Sequence, residues 1–259
     1  MKKIAINILW LGCLAVAALL QTSCEVDNYA EPDGIIFGKV TDAITGQGII
    51  TEQPEGFRIR YYELSWSDNP APRDIWGMVD GTYRNAKMFA GHYRIEAIEG
   101  AFVPPPAQEI DIRSNAETEL NFTVTPYVSF SNVSIAKTGA DEVTCTFNLK
   151  VNVPGSVLRD FRIYASDQTK LPGTQAPIQS EFSTIHSVNG VENSQLVWDV
   201  ASQNLTEGAF TVKLKGYVAK GAKVGDYVYP GIYWIRIAAR TNNSPVGRYN
   251  MTAIEEVSF

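Results

Sequence analysis

Beyond residue 30 the apolar residues alternate with polar ones and nowhere keep a helical period. Phe57, Ile59 and Tyr61 are interleaved with Arg58, Arg60 and Tyr62, and Tyr93, Ile95 and Ala97 with Arg94 and Glu96. Leu120, Phe122 and Val124 repeat the pattern, as do Val143, Cys145, Phe147, Leu149 and Val151, then Val212 and Leu214. Successive side chains of an extended strand point to opposite faces, so these runs describe strands with one buried face. Turn formers separate them at Thr45-Gly46, Asp80-Gly81, Pro104-Pro105-Pro106, Pro154-Gly155 and Asn189-Gly190. Many short strands so spaced predict an all-β protein. A length of 259 residues accommodates two β-sandwich domains. The alternation restarts at Val128 after Pro126-Tyr127, so we expect one sandwich over 34–126 and a second over 127–259.

The first residues follow a different rule. Met1-Lys2-Lys3 supplies a positive end, Ile4 to Leu20 is apolar apart from Asn7, and Gln21-Thr22-Ser23-Cys24 leads into Glu25 and Asp27. This is the layout of a secretory signal peptide, expected over 1–23. A membrane-spanning helix would be longer and basic at its retained end, whereas the flank here is acidic. Cys24 behind the small Ser23 resembles the lipobox of bacterial lipoproteins, although Leu20 lies one place upstream of the strict pattern and Gln21 takes its place. The resemblance implies that Cys24 becomes the acylated first residue, anchored through several acyl chains, with 24–33 as a tether. Cys13 leaves with the leader, so Cys145 has no partner for an internal disulfide.

Gly38-Lys39-Val40-Thr41-Asp42-Ala43-Ile44-Thr45-Gly46-Gln47-Gly48-Ile49 looks like the first hairpin of transthyretin-like (prealbumin-like), carboxypeptidase-regulatory-like domains. Asp80-Gly81-Thr82-Tyr83 and Phe89-Ala90-Gly91-His92-Tyr93-Arg94-Ile95 are similar to two later strands of that fold. With the Asp-Asn-Tyr after Cys24, these segments resemble a family of uncharacterised lipoproteins from Bacteroidetes, whose genes typically lie beside starch-utilisation-type glycan uptake systems. Pro230 to Ala239 looks like the late strand of a fibronectin-type or immunoglobulin-like sandwich. The resemblance implies display at the outer membrane, facing the cell exterior, with transporter components as partners. It implies no catalytic residue.

The residues themselves offer little chemistry. Twenty-eight acids against 22 Lys and Arg give a net charge of −6, which argues against a sequence-independent nucleic-acid binder. Two histidines and three cysteines leave little for a metal site, and no cofactor motif appears. Glycoside hydrolysis needs two carboxylates converging across a cleft. Asp68, Asp74, Asp80, Glu96 and Glu99 are available, but nothing in the sequence shows which converge. Cys145, on the apolar face of its strand, reads as an inert core thiol, and His92 as a hydrogen-bonded surface group.

Aromatic residues remain. Trp66-Ser67-Asp68-Asn69-Pro70-Ala71-Pro72-Arg73-Asp74-Ile75-Trp76 reads as a stiffened polar loop with an indole at each end. Rings that stack on sugar C–H faces, beside Asp68, Asn69, Arg73 and Asp74 to pair hydroxyls, are what a carbohydrate site requires. Against this, either Trp66 or Trp76 taken alone suits closure of the core, and at least one of them is expected to face solvent. Tyr227, Tyr229, Tyr233 and Trp234 form a second aromatic group, and of Tyr233 and Trp234 one should face outward. The expectation is a non-enzymatic, lipid-anchored surface protein that binds polysaccharide or oligosaccharide, or supports a glycan-uptake complex. The alternative is a spacer or adhesion protein that meets only other proteins.

Overall fold

The alternating runs become seventeen strands in the computed structural model, which describes residues 31–139, 142–166, 196–215, 231–244 and 247–258. The first nine are β1 (Gly34–Asp42), β2 (Arg58–Glu63), β3 (Arg73–Trp76), β4 (Thr82–Met88), β5 (Gly91–Ile98), β6 (Phe102–Val103), β7 (Gln108–Ile112), β8 (Glu117–Glu119) and β9 (Phe122–Pro126). They make two sheets, one ordered β4-β1-β9-β6 with β8 also on β1, the other β3-β2-β5-β7. Ile36, Val40, Phe57, Ile59, Tyr93 and Phe122 fill the space between them. The alternation did this sorting: along β5, Tyr93, Ile95 and Ala97 point inward and are buried.

The other eight strands are β10 (Val128–Lys137), β11 (Glu142–Val151), β12 (Leu158–Ser166), β13 (Leu196–Asp199), β14 (Glu207–Lys215), β15 (Ile232–Thr241), β16 (Asn250–Met251) and β17 (Glu255–Ser258). A sheet ordered β10-β11-β14 faces one ordered β13-β12-β15-β16, with β17 also on β15. The core between them is rich in rings. Phe161 lies 5.3 Å from Phe147 and 4.6 Å from Phe210, and Trp198 stacks on it at 5.0 Å. Cys145 is fully buried there, and desolvation pushes its thiol up to about 12, so it is unreactive at neutral pH. The described residues contain no α-helix, and the chain is all-β.

Two glycines are dictated by close approach. A Cβ on Gly38 would stand 1.8 Å from the carbonyl oxygen of Leu120, where the segment between β8 and β9 crosses β1. Gly81 turns the chain into β4 at φ 82°, and a Cβ there would meet the Val40 carbonyl at 2.7 Å.

Pro32–Phe259 forms one compact unit, in which the two cores meet with almost no linker. Only Tyr127 separates β9 from β10, and its backbone is gripped from both sides. Its N–H donates to the Ala101 carbonyl at 3.1 Å, and its carbonyl accepts from the Asn152 N–H at 3.0 Å. The Asn250 side chain donates to the Ala101 carbonyl at 2.8 Å and accepts from the Val128 N–H at 2.8 Å. Beyond the joint, Tyr164, Ala238, Tyr249 and Met251 form a third small core, on which Ile50 of the first sandwich packs. In the same region Arg236, fully buried, donates to the Thr51 carbonyl at 3.1 Å. Arg248 approaches Glu52 at 3.6 Å and Glu55 at 3.2 Å.

Candidate functional site

The outer face of the β3-β2-β5-β7 sheet is the complement of its buried face. β2 turns Arg58, Arg60 and Tyr62 outward, β3 turns out Asp74 and Trp76, β5 His92, Arg94 and Glu96, and β7 Glu109 and Asp111. Strand register then sets these residues in rows. Arg58 lies opposite Trp76, Arg60 lies between Asp74 and Glu96, Tyr62 is opposite Arg94, and His92 is opposite Asp111. Opposite charges facing each other across strands stabilise the pairing.

Asp74 is the centre of the first two rows. Arg60 donates to it twice, from Nε at 2.8 Å and Nη2 at 2.9 Å, and Arg58 donates from Nη1 at 3.0 Å. A forked guanidinium–carboxylate pair of this kind fixes orientation as well as charge. Glu99 closes the cluster, 2.9 Å from Arg58 Nε and 3.6 Å from Arg60 Nη2. Its backbone sits at φ 55°, a left-handed conformation costly for a side-chain-bearing residue. The hydrogen bond from Arg60 holds the Asp74 carboxyl below its usual range, and the same bond raises Arg60. Both groups therefore stay charged through the working pH range. A carboxyl lowered by two guanidinium partners is less suited to donate a proton than one raised by burial.

Two rings lie on this array. The Arg58 guanidinium stacks 4.2 Å from the Trp76 ring, and Arg94 lies 4.2 Å from the Tyr62 ring. Trp76 is 41% exposed, so much of its surface is open to solvent while one face rests on a cation. Farther along, the Nδ1 of His92 is 2.8 Å from Asp111 and its Nε2 is 3.1 Å from Glu109. Those bonds, Asp111 first, raise the imidazole pKa and favour the imidazolium.

The structure divides the sequence-predicted loop. Asp68 and Asn69 are exposed in the connection between β2 and β3, where the Asn69 N–H donates to Ser67 Oγ at 3.1 Å. Arg73 begins β3 and is exposed. Trp76 is not at the end of the loop but at the far end of β3, because Arg73 pairs with Tyr61 and Trp76 with Arg58. Three residue steps, about 10 Å along the strand, therefore separate Trp76 from the point where β3 leaves the loop. Trp66 belongs to the other end, beside Ser65, whose hydroxyl accepts the His92 N–H at 2.7 Å. Neither indole closes the core, since Trp66 is 70% exposed.

In the second aromatic group, Tyr227 and Tyr229 lie outside the described residues. Tyr233 points into the core, while Trp234 is half-buried on the opposite face with its indole N–H donating to Glu256 at 3.2 Å. Cys24 also lies outside the described residues. The residues missed from sequence are Arg58, Arg60, Tyr62 and Arg94. Their signal was present in the alternation used to find the core, read from its polar side. A separate cleft of about 350 Å³ opens at the joint, walled by Ile49, Phe130, Val133 and Met251, and it lacks a comparable charged cluster.

The fold and this face define an all-β, two-sandwich protein with a flat polar–aromatic surface. Residues 35–125 match the family described as "Protein of unknown function (DUF3823) N-terminal domain". The chain is similar in structure to a "putative carbohydrate binding protein" from Bacteroides uniformis, with a TM-score of 0.67 at 21% identity over 88% of this chain and 100% of that one. DUF3823 family proteins from Bacteroides uniformis (TM-score 0.64, 22% identity) and Parabacteroides merdae (0.62, 18%) cover the same shares. At these identities the likeness is one of fold. No curated protein matches the chain.

Proposed function

We propose that this is a non-enzymatic, lipid-anchored protein of the outer membrane that binds carbohydrate on the outer face of the β3-β2-β5-β7 sheet, beside the components of a glycan transporter. The observation that carries the reading is the Trp76 ring seated on Arg58 and bordered by the Asp74–Arg60–Glu99 cluster. A pyranose presents a C–H face to such a ring and hydroxyls to the charged groups around it. The side chains are held by mutual ion pairs, so little ordering entropy is lost on binding. The similarity in fold to the Bacteroides uniformis protein described as carbohydrate binding, and the lipobox-like surroundings of Cys24, are consistent with this role.

Titration calorimetry of the chain from Cys24 onward against plant, host and microbial polysaccharides is the test. Binding should appear for at least one class. Trp76→Ala should weaken it by about 2 kcal/mol, roughly thirtyfold in Kd. Trp66→Ala should leave it within twofold. A Trp76→Ala variant that binds as tightly as the parent removes this face from the site.

The stiff joint at Tyr127 favours a second reading, a spacer that holds a partner protein at a set distance. Under that reading, capture of the transporter components survives Trp76→Ala and Arg60→Ala, and no glycan binds.

A further inference from the structure

The end of the first sandwich farthest from the joint carries two exposed rings, and it is also where the chain enters the fold. Gly34 pairs with Met88, and a Cβ on it would touch both Ile112 and the Arg113 carbonyl. Ser114 Oγ donates to Asp33 at 2.7 Å, which fixes the incoming chain against the same turn. Phe89, 42% exposed, follows Met88 directly. Gly91 is the ladder partner of Ile112 and stands against Ser65, which precedes Trp66. A short path through Gly34, Ile112, Gly91 and Ser65 thus joins the point of entry to both rings. Arg73, Lys87 and Arg113 are exposed at this end, and none of them is in an ion pair among the described residues. Glu31, Asp33, Glu63, Asp68 and the His92-bound Asp111 and Glu109 are the acids nearby.

From these positions we infer that this end, with Trp66 and Phe89, seats on the interface of the phospholipid bilayer that holds the anchor. The inference rests on the reading of Cys24 as the anchored residue. Nine residue steps from Cys24 to Asp33 span about 30 Å at full extension, and less in any other conformation, so the anchor keeps this end within contact range of the surface. Indole and phenyl rings partition into the headgroup region. Acyl chains set whether the protein stays on the membrane, and the two rings set which way it stands. With Trp66 and Phe89 down, the joint end of the Trp76 face is the more distant from the bilayer.

The test separates orientation from natural acylation. The chain from Cys24 to Phe259 is coupled through the Cys24 thiol to a maleimide phospholipid, and the buried, unreactive Cys145 stays unmodified. The vesicles are phosphatidylethanolamine with a minority of phosphatidylglycerol, their acyl chains brominated near the headgroup. Four of the five tryptophans follow Cys24, and tethering should quench the emission of one of them. Trp66→Phe should abolish that quenching, and Phe89→Ser should at least halve it. Unquenched emission in the tethered parent, or quenching that persists in Trp66→Phe, overturns the orientation and leaves those rings to a sugar or protein partner. Mass analysis of the full chain recovered from cell membranes reads the acylation of Cys24 independently, so failure of the anchor and failure of the orientation give different results.

Discussion

Glu52→Ala is expected to lower the unfolding free energy by about 3–5 kcal/mol. Glu52 is 2% exposed, Arg236 is fully buried and Arg248 is 7% exposed. Burial pulls the Arg236 pKa down to about 10, and the negative charge of Glu52 opposes that pull. Without the carboxylate, Arg236 loses the negative charge that opposes its desolvation while the Thr51 carbonyl remains as a neutral acceptor, and Arg248 retains Glu55. A buried cation stripped of its anion costs far more than the pair was contributing. For a chain of this size the loss corresponds to a fall in Tm of roughly 10 °C. Calorimetry should also show the melting transition broadening or splitting, because this cluster ties the first sandwich to the second. Replacing Glu52 and Arg236 together, as Glu52→Leu with Arg236→Met, should recover part of the loss, since that apolar pair needs no desolvation while Arg248 keeps Glu55. A Glu52→Ala protein that melts within a degree or two of the parent would mean that water reaches the joint and screens both arginines.

That joint also marks where the sequence stops being informative. The inward faces were legible because each strand has one neighbour sheet inside and solvent outside, so Tyr93, Ile95 and Ala97, or Cys145, Phe147 and Leu149, announce themselves by alternation. β15 breaks that rule. Tyr233 and every residue from Ile235 to Ala239 are buried, because its second face is covered by the first sandwich. The run Ile235-Arg236-Ile237-Ala238-Ala239 shows that both faces are covered but not by what, and Thr51 lies 185 positions away. The candidate face is hidden in the sequence for a related reason. Whether Asp74 meets Arg60 depends on the register of β3 against β2, and a one-residue slip would send it to the other face. The nine-residue connection between those strands leaves that register open from sequence alone. By sequence alone Trp76 therefore looks like a loop residue although it ends a strand, and the arginines that carry it look like the polar half of an alternation.

Alkaline pH should unfold the protein before most of its buried tyrosines ionise. Tyr83, Tyr93, Tyr164 and Tyr249 are each nearly or wholly buried, and desolvation is the largest cause of the rise in their pKa values. Tyr164 is pushed up to about 12, from 10.0 in a solvated chain, while nearby Glu119, Glu63 and Asp160 push Tyr83, Tyr93 and Tyr249 respectively further in the same direction. A group whose pKa is higher folded than unfolded supports the fold fully below the unfolded value and loses that support as pH rises through the folded one. Between pH 10 and 12 the unfolded chain sheds these phenolic protons and the folded chain keeps them, so each such tyrosine removes about 1.4 kcal/mol per pH unit. Arg236 works in the opposite sense, because its folded pKa of about 10 lies well below the unfolded value, and above pH 10 it returns a similar amount for one group. Four groups against one leave a net loss of about 8 kcal/mol across this window, comparable with the whole stability of an ordinary domain. Tyrosinate absorbance and far-ultraviolet circular dichroism should therefore change together, with the buried phenols ionising only as the strands are lost. Tyr164→Phe should move the alkaline midpoint upward. Ionisation of all twelve tyrosines near pH 10 with the strand signal intact would show that these phenols are hydrated in the folded protein.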